Sequence, residues 1–129
     1  MRTFNYGKLV RDKIPGHMLE QGEIADVRTL SKEEYRRELI KKIGEEVLEL
    51  EATKDNSIVE IADIREALDC LRDLDGMYEE DIAWERFRKN TQSGSFSKRQ
   101  FVGKVALPEN NIWIEYLEAH PDRYPEIIE

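Results

Sequence analysis

Four carboxylates in two spaced pairs are the residues of this chain best suited to chemistry. Glu46 and Glu49 form one i, i+3 pair, and Glu60 and Asp63 form another. On a helix that spacing places both members on one face. A buried, unpaired carboxylate is costly unless a proton, a cationic side chain or a metal compensates it. Hard divalent cations such as Mg²⁺ prefer oxygen ligands, so two such pairs brought together would make a metal site.

The elements that must position them are two amphipathic helices within residues 39–74. Each residue lies ~100° further round a helix than the one before. The first helix then centres its apolar stripe on Leu39, Ile43, Val47 and Leu50. Glu46 falls inside the edge of that stripe, Glu49 just beside it and Glu45 well outside. The second centres its stripe on Ile61, Ile64, Leu68 and Leu71, with Glu60 inside it, the deepest of the four, and Asp63 at its edge. A solvated acidic face is the competing reading for each residue taken alone. For Glu60 a second competitor is a capping box, Ser57-x-x-Glu60, which would commit the side chain to the backbone. That both pairs lean toward their apolar sides favours a joint site.

The first long helix opens at Ser31, with Ser31-x-x-Glu34 as a capping box, and runs to 52 or 53. Asp55-Asn56-Ser57 turns the chain, and the second helix ends near Asp75, before Gly76. So short a connection implies an antiparallel hairpin, in which the two acidic pairs can meet. Around the hairpin we expect an irregular arm over 1–15, a short helix over 17–21 and a weak strand over 24–30. Further on come a third helix over 79–89, a loop over 90–95, a second strand over 99–107 pairing with the first, and a last helix over 111–119. The fold class is therefore mainly all-α, with a small β addition from the N- and C-terminal segments.

The arm holds Lys8, Arg11 and Lys13 within six positions. They could grip phosphate, for which Arg and Lys are the usual partners, or form a solvated arm that balances acidic neighbours.

Glu45-Glu46-x-x-Glu49 followed by Glu60-x-x-Asp63 resembles the signature of the MazG-type, all-α nucleoside triphosphate pyrophosphohydrolases. Lys8-Leu9-Val10-Arg11-Asp12-Lys13-Ile14-Pro15 resembles a branch of that superfamily regarded as house-cleaning enzymes for noncanonical nucleotides. Gly94-Ser95-Phe96-Ser97-Lys98-Arg99 stands where that branch carries a Gly-Gly-Phe turn and a basic pair, with Ser95 in place of the second Gly. The likeness covers most of residues 6–101.

The resemblance implies Mg²⁺-dependent hydrolysis of nucleoside triphosphates, including noncanonical ones, to monophosphate and pyrophosphate, with Mn²⁺ able to substitute. Glu46, Glu49, Glu60 and Asp63 would be the metal ligands. Glu45 would orient a ligand or assist the attacking water from behind them, so Glu45, Glu46 and Glu49 form the catalytic set. Lys8, Arg11, Lys13, Lys98 and Arg99 would offset triphosphate charge, Lys8 and Arg11 foremost among the arm residues. Phe96 would either stack on a base or anchor its loop to the core. Such enzymes work as oligomers, and a lone hairpin buries too little for its stripes. We therefore expect a homodimer or larger homo-oligomer that completes a four-helix-type bundle. Alternatives are hydrolysis of phosphoribosyl-ATP, from the same superfamily, or a non-catalytic helical module that binds a nucleotide or a protein.

Composition narrows the choice. The 129 residues fit one domain, with a core over about 6–101 and a C-terminal extension over 108–129. A net charge of -8 disfavours binding to nucleic-acid polymers. One cysteine, Cys70, rules out an intrachain disulfide framework and fits a reducing compartment. No apolar run is long enough to span a membrane, and the N-terminus lacks the apolar core of a signal peptide. The expected location is the cytoplasm.

Overall fold

Ser31 starts the longest helix. Its hydroxyl accepts from the Glu34 backbone N–H at 3.2 Å, and Glu34 Oε1 accepts from the Ser31 N–H at 3.4 Å, which completes the expected capping box. Arg28, 2.8 Å from Glu34, and the Ser31 contacts hold the Glu34 carboxyl down at about 2. In the computed structural model, which describes residues 1–128, this helix is one of five. They are α1 (Ile14–Glu20), α2 (Lys32–Ala52), α3 (Ile58–Leu74), α4 (Glu79–Ser93) and α5 (Ile114–Glu118). The chain divides into two compact units, Met1–Gln92 and Ser93–Glu129.

In the first unit α2 and α3 form the antiparallel hairpin. α2 stops at Thr53, whose backbone turns extended. α3 is capped by Asn56, whose Oδ1 accepts from the Ile58 N–H at 3.0 Å. Ser57 makes no side-chain cap, so the capping-box reading of Glu60 is overturned. α3 closes in a Schellman motif: Gly76 N–H donates to the Asp73 carbonyl and Met77 N–H to that of Arg72. Gly76 has φ +72°, a conformation glycine adopts without strain. An ion pair from Arg36 to Asp75, at 3.1 Å, ties the open end of the hairpin. Arg72, 2.6 Å from Glu79, fastens the start of α4.

The seam between α2 and α3 is narrow. Leu39 and Ala67 are its buried apolar residues, flanked by half-buried Ile43, Leu50, Ile64 and Leu71. Val47, Ile61 and Leu68, expected in the stripes, are instead 47%, 44% and 47% exposed. One partner helix covers only part of an apolar stripe this wide. Both helices are consequently rotated about their axes, so the seam takes in the acidic side of each stripe. The apolar remainder, Ile40 and Val47 with Ile61 and Leu68, lies one step round each helix, on the same open side of the antiparallel pair.

Several boundaries differ from expectation. α1 begins three residues early because Pro15 is tolerated in a first turn, where its missing N–H costs nothing. α4 continues through the expected loop to Ser93, before Gly94 at φ +82°. Its polar last turn is fully solvated, with Arg88 bonded to Gln92 at 3.3 Å. α5 is shorter than the expected 111–119. The small β addition is not formed: among the described residues neither 24–30 nor 99–107 contains a strand. A strand lacking a ladder partner is not stable. The two segments fall in different compact units, with Ile24, Val27, Val102 and Val105 exposed.

Candidate functional site

Rotation of the helices carries the acidic pairs into the loop end of the seam. Glu46 is 5% exposed, the one buried charged residue among those described. One of its oxygens, Oε2, is buried without a hydrogen-bond partner, and so is Oε2 of Glu60. Native proteins rarely leave such atoms unpaired, and each is normally explained by an ion, a water or a catalytic role. The other Glu46 oxygen has only Lys42, at 3.7 Å, as a counter-ion. Burial pushes the Glu46 carboxyl up; the charges of Glu49 and Asp63 add to the rise, and Lys42 opposes it. Thus Glu46 lies within electrostatic reach of both Glu49 and Asp63, and Glu46 is the deepest of the four, not Glu60. Glu49 is exposed at the mouth, and Glu45 is half-buried on the same acidic side, closer in than its place on the stripe implied.

Glu60 is held from α2. Thr53 Oγ1 lies 2.8 Å from the Glu49 carbonyl and 3.1 Å from Glu60 Oε1. A hydroxyl has one proton to donate, so it serves one acceptor at a time and leaves Glu60 under-satisfied. Thr53 and Lys42 were missed in the sequence. Lys42 carried a usable signal, the i, i+4 spacing to Glu46. Thr53 carried one only through the hairpin, which folds the end of α2 over the start of α3.

The arm supplies the remaining contact. Arg11 donates to Asp63 Oδ1 at 2.6 Å. Lys8 and Lys13 are exposed and form no ion pair among the described residues. The second unit contains Phe96, Lys98 and Arg99, all exposed. Phe96 is 97% exposed. Arg99 sits at φ 57°, where its N–H donates to the Phe96 carbonyl and closes a tight turn. A separate hollow along α4, lined by Met77, Ile82 and Arg86 among others, contains none of the residues singled out in the sequence.

Among the described residues no three His, Cys, Asp or Glu side chains are gathered as a ready metal shell. The donor set nonetheless fits a hard cation. It is all oxygen, two of its atoms are orphaned, and Asp63 is turned to a guanidinium. Among the described residues no helix is long and apolar enough to cross a membrane. Compared with protein-family models, curated proteins and solved structures, the chain matches none.

Proposed function

We propose that the loop end of the α2–α3 hairpin is the active site of a Mg²⁺-dependent nucleoside triphosphate pyrophosphohydrolase. The observation that carries this reading is the pair of buried, unpartnered carboxylate oxygens on Glu46 and Glu60, beside Glu49 and Asp63. Unlike a solvated acidic face, such atoms require a partner.

Glu46, Glu49, Glu60 and Asp63 would hold the ion, and Mn²⁺ could replace Mg²⁺. Once bound, the ion supplies charge neutralisation at phosphoryl oxygens and acidifies a water molecule. The chain's residues do the rest. Thr53 restrains Glu60 against α2. Glu45 would orient the ligands or take a proton from the attacking water. Lys8, Arg11 and Lys13 offset triphosphate charge. Water adds across the α–β bridge: one phosphoryl group gains the hydroxyl, the other leaves with the bridging oxygen, and a proton is released. The products are a nucleoside monophosphate and pyrophosphate.

A homo-oligomer completes the helical bundle in this reading. It is supported by the face of Ile40, Val47, Ile61 and Leu68, which the hairpin leaves uncovered. A lone cysteine suits the reducing cytoplasm.

The test is a panel of canonical and modified nucleoside triphosphates incubated with Mg²⁺, with all products identified. The expected result is monophosphate and pyrophosphate in equal amounts, and no release in chelator. Diphosphate with orthophosphate would place the cut at the wrong bond and end this proposal.

A further inference from the structure

Arg11 is drawn to two partners, Asp63 and the triphosphate. Its guanidinium sits on Asp63 at 2.6 Å, yet Asp63 is a proposed metal ligand and Arg11 a proposed phosphate contact. We propose that Arg11 is a displaceable counter-ion, which occupies Asp63 until a divalent cation enters and is thereby freed to meet the triphosphate. This rests on the metal-site reading above.

The pair is built to open. The Arg11 side chain is 60% exposed and that of Asp63 26%, so solvent screens the contact. Exposed pairs of this kind contribute little net stability. The backbone of Arg11 stays anchored while its side chain moves: the Arg11 carbonyl accepts from the Ile14 N–H at 3.0 Å, at the entry to α1. Ile14, Pro15 and Met18 are half-buried. The guanidinium can therefore leave Asp63 by side-chain rotation alone. It lies within electrostatic reach of Glu66 and Cys70, one and two turns further along the same side of α3. Arg11 donates to one Asp63 oxygen, Oδ1, so a cation held by Glu46 and Glu60 that recruits this carboxylate meets a positive guanidinium already on it. The two positive groups repel each other, and each one's departure favours the other's arrival.

The experiment is a titration with Mn²⁺ alone, without nucleotide, that counts the free aqueous ion by electron paramagnetic resonance. Parent, Arg11→Met, Arg11→Gln, Lys13→Met and Glu46→Gln are compared, each shown to be helical by circular dichroism. Both Arg11 variants are expected to bind Mn²⁺ roughly two- to fivefold more tightly than the parent, the range set by the strength of an exposed ion pair. Lys13→Met removes a like charge from the same arm but breaks no pair, so its affinity should stay at the parent's value. Unchanged or weaker binding in the Arg11 variants, with binding still lost in Glu46→Gln, makes Arg11 a fixed staple and overturns this inference alone. An equal gain in Lys13→Met reduces the effect to bulk charge and also overturns it. If the parent binds no Mn²⁺, or Glu46→Gln binds as well as the parent, the metal site and this inference fall together.

Discussion

Glu46→Gln is expected to make the metal-free protein more stable while abolishing the proposed hydrolytic activity. Gln keeps the shape of the side chain, removes the buried charge and can donate a hydrogen bond to Glu49. A buried, unsatisfied polar group costs about 1–3 kcal/mol, and a charged one more. For a chain of this length each kcal/mol moves the melting temperature by roughly 4 °C, so a rise of several degrees should appear in chelator. The sign depends on pH. Burial and the charges of Glu49 and Asp63 raise the Glu46 carboxyl above its ordinary value of 4.5. The folded state therefore holds this proton more firmly than the unfolded state does. The resulting stability is fully present below 4.5 and is lost as pH rises through the raised folded value. Parent and variant should melt together in acid, and the variant should gain steadily toward neutral pH. Excess Mg²⁺ should narrow or reverse the gap, because it stabilises only the protein that binds it. Both proteins must share an oligomeric state by size-exclusion chromatography. A variant less stable than the parent in chelator at neutral pH would remove the strain on which the site is argued.

Glu49→Gln should separate catalysis from folding more sharply. Glu49 is exposed, and its charge acts on the buried Glu46 carboxyl beside it. Its backbone carbonyl is used by Thr53. Removing that charge should leave stability in chelator equal to the parent's or slightly higher, by less than Glu46→Gln gains, because Glu49 itself is solvated. Turnover should fall by more than the roughly 10–100-fold seen on losing a group behind a metal ligand. Near-normal turnover in a folded Glu49→Gln protein would strike Glu49 from the ligand set.

The sequence made the hairpin legible because its signals are local. Ser31 with Glu34, the Asp55-Asn56-Ser57 turn and Gly76 each act within a few residues of where they are read. The acidic pairs were legible through helical spacing. What spacing could not give was the rotation of each helix, which depends on the facing helix: Val47 and Leu68 turned outward while Glu46 became the deepest acid. The Arg11–Asp63 contact spans 52 residues and has no periodic signature. The weak strands failed for the same reason, since pairing is a property of two segments and alternation a property of one.

A divalent cation held between α2 and α3 by these four carboxylates would be visible in anomalous diffraction from Mn²⁺-soaked crystals. The expected peak lies within direct ligand distance of both Glu46 and Glu60, with Asp63 turned to it and away from Arg11. Mn²⁺ bound only at surface acids such as Asp69 and Asp73, with Glu46 and Glu60 still unpartnered, would rule out the metal site.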